Sequence, residues 1–380
     1  METSQSNKLS ETIEATASIK IVGVGGAGNN SLKSLMDVQL PGVEFVAVNT
    51  DKQALKEFPN KEICLQIGDE HGRGAGADPE MGKQAAIDAR NDIKDRLKNT
   101  ELVIIAAGMG GGTGTGASPE IAKIAKENSS LTIAVVTMPF IFEGRKRTEV
   151  AIQGLEKLKK EVDAYIIVSN EKLLNAFGEL PIDESWKYSN ITLKQLIRSI
   201  IDITVLPSYI NLDFADLQNL IKKNPGELVV GIGKATGKDK AEKAVSHALK
   251  SPIIESNIMG ATQCIVHISV GNNATLKDIS DVSQFMNKIM NKEVDMIFGY
   301  NKIESENKEQ DDSLVVTIIA AGIKEEFKKD TQAIRQEVNQ QMEKSLESSH
   351  NKSIENDEEY ITLENENNFE NNKGLFDFFK

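Results

Sequence analysis

The sequence predicts an α/β protein built as a Rossmann-type parallel-sheet domain, a long core helix, a second and smaller α/β domain, and a disordered tail. Three observations carry that expectation. From residue 18 onward, short near-continuous apolar runs alternate with amphipathic stretches, the pattern of parallel strands covered by helices on both faces. Glycine-rich turns repeatedly follow those strands, at the carboxyl ends where open parallel sheets bind ligands. After Ile323 the composition shifts to Glu, Asn, Lys and Gln, with too few apolar side chains to offset the entropy of ordering.

In chain order, residues 1–17 are polar and read as disordered. The first domain, 18–190, opens with "IKIVGVGG", a strand running into a glycine turn, followed by the helix "NNSLKSLMDVQ" and the strand "VEFVAVNTD". "ELVIIAAG" is the next clear strand, then the helix "SPEIAKIAKEN", the strand "LTIAVVTMPF", the helix "VAIQGLEKLKKEV" and the strand "AYIIVSN". The strands are rich in Ile and Val, which suit a buried pleated surface. A core helix from about Thr192 to Leu206, within a 191–210 connector, puts Leu193, Leu196, Ile197, Ile200, Ile201 and Thr204 on one face. Pro207 stops it. In the second domain, 211–323, "GELVVGIGKATG", "ATQCIVHISVGN", "VDMIFGYNKI" and "DSLVVTIIAAGI" are strands; "DKAEKAVSHALKS" and "LKDISDVSQFMNKIM" are helices.

Composition excludes several functions. A net charge of −13 argues against sequence-independent nucleic-acid binding, which needs phosphate-neutralising cations. No apolar stretch is long enough to span a bilayer, and "METSQSNKLSE" lacks the apolar segment of a secretory signal. Cys64 and Cys264 share no spacing motif and read as reduced thiols of a cytoplasmic protein.

The chemistry lies in three glycine loops. "GVGGAG", Gly23 to Gly28, satisfies G-x-G-x-x-G between a strand and a helix, as a dinucleotide-binding turn would. The acid expected about 20 residues on is misplaced, since Asp51 lies past the strand end, and no catalytic His with an Arg or Asp partner can be picked out for hydride transfer. An NAD(P)-dependent oxidoreductase is therefore the distant alternative. A P-loop is excluded, because Gly76 to Lys83 is one residue too long and Gln84 stands where a magnesium-holding hydroxyl belongs. The second loop, "GRGAGADPE", and the third, "AAGMGGGTGTGASPE", add more backbone N–H groups than a dinucleotide needs. Together they suit one polyphosphate, unless the glycines merely let strands and helices pack closely.

"GMGGGTGTG" resembles the tubulin signature G-G-G-T-G-[ST]-G, and its setting resembles the FtsZ family of tubulin-like division GTPases. "IKIVGVGGAGNN", "GVEFVAVNTDKQAL", "GAGADPE", "FEGRKR" and "INLDFADL" are similar to FtsZ segments in the same order, from about Ser18 to Ile323. The resemblance implies a tubulin-like fold, GTP and GDP as ligands, and Mg2+ held mainly by the GTP phosphates. It implies nucleotide contacts from Gly25, Gly26, Ala27, Gly28, Asn29 and Asn30 in the first loop and Ala75, Gly76 and Ala77 in the second. From the third loop it implies Gly108, Gly110, Gly111, Gly112, Thr113 and Gly114. Glu143 and Arg147 would face the ribose and phosphates, and Asn170 and Asn190 the base, with Trp186 near the stacking position. Asn190 departs from the usual Asp, and Asp78 from the usual Asn.

By the same resemblance Asn211, Asp213 and Asp216 are the hydrolytic group, completing the site of the next subunit. On spacing alone, Asp213 and Asp216 equally fit a helix N-terminal acid pair. The implied partner is the chain itself, stacked head to tail in the cytokinetic ring; a tubulin-like paralogue for plasmid partition or cell shape is the alternative. Residues 324–380 hold 8 basic and 14 acidic residues. They read as an acidic flexible linker, 324–370, and a docking peptide, 371–380, ending in "GLFDFFK", for division adaptors or membrane-tethering proteins. The expected location is the cytoplasm at midcell, on the inner face of the membrane.

Overall fold

Residues 17–37, 40, 42–177, 182–205, 210, 212–250, 258–290, 294–302 and 312–323 are described by the computed structural model, the side chains of 175–190 and 259 excepted. The segment through residue 16, the expected linker 324–370 and the expected peptide 371–380 lie outside these residues.

The first unit runs β1 (Ile19–Val24), α1 (Gly25–Met36), β2 (Val43–Asn49), α2 (Lys52–Lys56), β3 (Cys64–Gln66), α3 (Pro79–Asp88), α4 (Arg90–Arg96) and β4 (Leu102–Gly108). It continues through α5 (Thr113–Glu127), β5 (Leu131–Met138), α6 (Arg145–Leu158), β6 (Ala164–Ser169) and α7 (Asn170–Phe177). Then come α8 (Ile182–Val205), α9 (Phe214–Lys223) and β7 (Gly226–Glu227). The seven strands form one sheet in the order β3-β2-β1-β4-β5-β6-β7, with every pair parallel. Strand residues alternate between two cores. Ile19, Ile21, Ile104 and Val135 face α1 and α8, while Val22, Val24, Ile105 and Val136 face α3, α5 and α6.

The helix expected from Thr192 is longer than its apolar stripe suggests. α8 starts at Ile182 and has 24 residues, about 36 Å at the usual rise. Leu193, Leu196, Ile197, Ile200, Ile201 and Thr204 are all buried. Fully burying each of the five aliphatic side chains is worth roughly 1.5–3 kcal/mol, so this stripe anchors the helix.

The second unit is β8 (Val229–Ala235), α10 (Lys240–Leu249), β9 (Gln263–Val270), α11 (Leu276–Ile289), β10 (Asp295–Lys302) and β11 (Leu314–Ala321). Its four-stranded sheet has the order β10-β9-β11-β8; β10 and β9 are parallel and β11 is antiparallel to both neighbours. Val230, Ile232, Ile265, Val315 and Ile319 join the core that contains α8, so one apolar cluster spans both sheets.

Candidate functional site

The glycine turns after β1 and β4 lie side by side, because those strands are neighbours in register. Most of their glycines answer to packing. Gly25 has φ +70°, and a Cβ there would lie 2.9 Å from the Gly114 nitrogen. One on Gly28 would collide with the Ala106 carbonyl oxygen; one on Gly108 would meet Ala27 Cβ at 2.7 Å. A Cβ on Gly112 would reach Ala75 Cβ at 2.7 Å, and one on Gly114 the Gly108 oxygen at 2.5 Å. The first and second loops thus both close on the third. Gly26 and Gly111 differ: their φ is ordinary, and a Cβ on either would meet nothing within 4 Å. Among the described residues nothing requires glycine there. A ligand lying against the backbone would. Gly76 also faces open space, but its own φ of +57° already favours glycine, and Ala77 beside it has φ +60°.

The helices that start in these loops have the electrostatics of an anion site. Neither α1 nor α5 has a side-chain N-cap or an acidic residue in its first turn. Their neighbours α2 and α3 are capped by Asp51 and Asp78. Uncapped helix starts leave N–H donors and positive dipole ends for an external acceptor. Asp78, the departure in the second loop, accepts from the Glu80 amide at 2.9 Å. Asn would cap a helix about as well as Asp.

A polar chain holds the loops together. Buried Asn29 donates to the Gly23 carbonyl at 2.7 Å and accepts from Asn49 at 2.7 Å. The Thr50 and Thr113 hydroxyls are 2.6 Å apart, and Thr115 accepts from the Gly110 amide at 2.8 Å. Asn49 and Thr50 lie in "GVEFVAVNTDKQAL", where the resemblance assigns neither of them a role in the site. The available signal was two small polar residues at the carboxyl end of a strand that otherwise reads as apolar.

Arg147 reaches the third loop from α6: a Cβ on Gly110 would approach its Cγ at 2.9 Å. Its Nε pairs with Glu143 at 2.9 Å, and Glu143 also accepts from the Phe140 amide at 2.9 Å. Asn170 is buried at the start of α7, at the carboxyl end of β6. Asn30 is exposed on α1. The backbone of Asn190 lies in α8, but its side chain and that of Trp186 fall outside the described residues, as does all of Asn211.

Asp213 and Asp216 are elsewhere. They form a reciprocal cap at the start of α9, with the Asp216 amide donating to Asp213 at 3.0 Å and the Asp213 amide to Asp216 at 3.1 Å. The chain leaves the carboxyl end of β6 through α7, descends α8, and re-enters the sheet at β7, which pairs with Ala164 and Tyr165, the first residues of β6. The acid pair thus follows the far end of α8 and precedes β7 at the amino-terminal end of the sheet. Between it and the α7 end of the sheet, where the glycine loops lie, run 24 residues of helix, about 36 Å.

A parallel sheet with three convergent glycine loops, two uncapped helix starts and a long helix leading to a second mixed sheet defines a tubulin-like nucleotide-binding protein. The comparisons agree. The family described as "Tubulin/FtsZ family, GTPase domain" matches residues 18–178, and "FtsZ family, C-terminal domain" matches 226–324. The chain is 42% identical over 348 residues to the cell division protein FtsZ of Mycoplasmopsis pulmonis (strain UAB CTIP), covering 90% of this chain and 88% of the relative. The empty FtsZ dimer of M. jannaschii superposes with a TM-score of 0.75 at 32% identity, covering 82% of this chain and 90% of that one. CetZ2 from Haloferax volcanii, solved as a GTPgS-bound protofilament, shares the fold with a TM-score of 0.70 at 19% identity, over 86% of this chain and 99% of that one. The chain belongs to the FtsZ family; it is a tubulin-like GTPase of cell division.

Proposed function

We propose that this protein assembles head to tail into filaments of the cytokinetic ring and hydrolyses GTP at the joint between subunits. The observation that carries the reading is the separation of the two halves of the site. The glycine loops lie at one end of the first sheet and the Asp213–Asp216 pair at the other, with α8 between them. Within one chain they do not meet. In a heterologous stack, one copy's acid pair is brought to the next copy's loops, and such a contact extends into an open filament.

In this reading the N–H groups that start α1 and α5 bind the phosphates. Thr113 adds a hydroxyl, and Gly26, Gly76 and Gly111 let the ligand approach the backbone. Arg147 lies beside the phosphates and Glu143 holds its guanidinium in place. Asn170 and Asn190 select guanine. Asp213 and Asp216 of the adjoining copy orient the attacking water and draw off its proton. Mg2+, held mainly by the phosphates, neutralises charge developing during phosphoryl transfer. Four of the five exposed large apolar side chains among the described residues, all but Ile87, fit a stack as well: Met81 and Phe142 are on elements at the glycine-loop end. Ile210 bridges Tyr300 near the end of β10, three residues before Asp213, and Leu276 starts α11 after β9 ends. The tail would tether the filament through adaptor or membrane-anchoring partners at its last residues, at midcell on the inner face of the membrane. Among the described residues, no helix is long and apolar enough to cross a membrane.

Sedimentation in GTP, GDP and ATP tests the proposal. Pelletable filaments with GTP alone are expected; equal pelleting in all three nucleotides, or in none, would contradict it.

A further inference from the structure

We propose that Thr50 is a positioning residue that aims the Thr113 hydroxyl at the bound nucleotide and ties the third glycine loop to the second; this rests on the nucleotide-site reading above. Thr50 immediately follows β2 and is buried, as is Thr113. Its hydroxyl oxygen lies 2.6 Å from that of Thr113, at the first position of α5. Its backbone carbonyl accepts from the Gly74 amide at 3.2 Å, in the second loop. The next peptide adds a further tie, Lys52 N–H to the Gly72 carbonyl at 3.1 Å. Asn49, one residue before, holds Asn29 of the first loop. Asn49 and Thr50 between them therefore touch every glycine loop, and Thr50 bonds two of them.

The hydroxyl pair has a direction. Two oxygens at this distance share one hydrogen, and the second hydrogen points away from the pair. When Thr50 donates, the Thr113 hydrogen is released for another acceptor; when Thr113 donates, its lone pairs face that acceptor and repel an anion. Thr113 begins an uncapped helix whose neighbouring N–H groups already favour negative charge. A phosphate oxygen selects the order Thr50 to Thr113 to phosphate, and each bond polarises the next. The Thr50 methyl is directed toward Gly68, 3.7 Å from where a Cβ on that glycine would lie. On loss of the anion the pair is free to reverse.

The test uses the full chain. Nucleotide affinity is measured below the assembly threshold, and kcat and KM for GTP are measured above it. Thr50→Val keeps the shape and the carbonyl bond to Gly74 but removes the hydroxyl. It should weaken nucleotide binding by severalfold to about tenfold, the scale of one lost neutral hydrogen bond that polarises the Thr113 hydroxyl, and raise KM more than it lowers kcat. Thr50→Ser should restore most of the affinity. In Thr50→Val/Thr113→Val the two losses should not add, because both break one relay. If Thr50→Val does not fold, Thr50→Ser against Thr50→Ala isolates the hydroxyl in the same way. Wild-type affinity in Thr50→Val, fully additive losses, or no difference between Ser and Ala would overturn the proposal. Absence of nucleotide binding by the unaltered chain would instead overturn the site reading beneath it.

Discussion

Asp213 and Asp216 hold each other across the first turn of α9, each backbone amide bonded to the other's carboxylate at 3.1 and 3.0 Å. The pair is a helix cap by geometry, with one oxygen of each carboxylate engaged in it. A cap alone needs only an acceptor. A water-orienting acid needs a negative charge as well.

That difference separates the two roles of Asp216. Asp216→Asn keeps an acceptor for the Asp213 amide, so folding stability should stay within about 1 kcal/mol of the unaltered chain. Nucleotide binding should be unchanged, hydrolysis should fall by roughly 10²-fold or more, and filaments should persist. Phosphate release and sedimentation measure this; normal turnover in Asp216→Asn would remove Asp216 from the hydrolytic group.

Turnover should depend on contact between copies. GTPase activity per subunit should be near zero at low protein and rise steeply above a threshold concentration, in step with light scattering. A specific activity independent of concentration would mean that one chain holds a complete site.

The two kinds of glycine should respond differently to alanine. Gly26→Ala and Gly111→Ala add a methyl to open space, so folding should be unaffected or improved by up to about 1 kcal/mol. GTP affinity should fall in both, because the methyl occupies the ligand's place. Gly28→Ala drives a methyl into the Ala106 carbonyl and should cost roughly 1–3 kcal/mol of stability. Urea denaturation beside equilibrium nucleotide binding distinguishes the cases; parallel losses of stability in all three would deny that Gly26 and Gly111 face a ligand.

Acid should attack the second unit through His267. Its ring is 2% exposed on β9, its Nε2 has no hydrogen-bond partner, and burial pushes its pKa down to about 4. A His with a lowered folded pKa contributes full stability above its unfolded value near 6.5 and loses it as pH falls toward 4. The loss should approach about 3 kcal/mol across that window, and His267→Asn should abolish the dependence. Burial raises the Asp202 carboxyl to about 6, and this acts oppositely, with stability falling as pH rises from 3.8 to 6. The measurement is therefore the difference between His267→Asn and the unaltered chain from pH 7 to 4.5; a flat difference would show that the ring is accessible to water in the folded state.

Much of this structure was legible as pattern. The apolar faces of α8 and the strands of both sheets announce themselves because burial selects Ile, Val and Leu at fixed spacing, as Leu193, Ile197 and Ile201 illustrate. The α3–α4 segment is less visible: its apolar stripe is weak, and its clearest marker is a cap followed by a proline, Asp78-Pro79. The first ten residues of α8 carry no comparable stripe. In the site, glycine runs marked the loops but could not separate glycines made necessary by a neighbouring carbonyl, such as Gly28, from those left open, such as Gly26. That distinction exists only in three dimensions. Thr50 was illegible for the same reason, since its partner is 63 positions away.

The length of α8 sets a stoichiometry. On the proposed assembly, a row of n copies has n − 1 joints and therefore n − 1 working sites, whatever its mass. The two tips are chemically unlike: one presents glycine loops with no acid pair to act on their nucleotide, and the other presents an acid pair with no nucleotide. Each breakage removes one working site and each annealing restores one. Phosphate release thus counts joints, and a terminal subunit that keeps its triphosphate marks one tip of the row as different from the other.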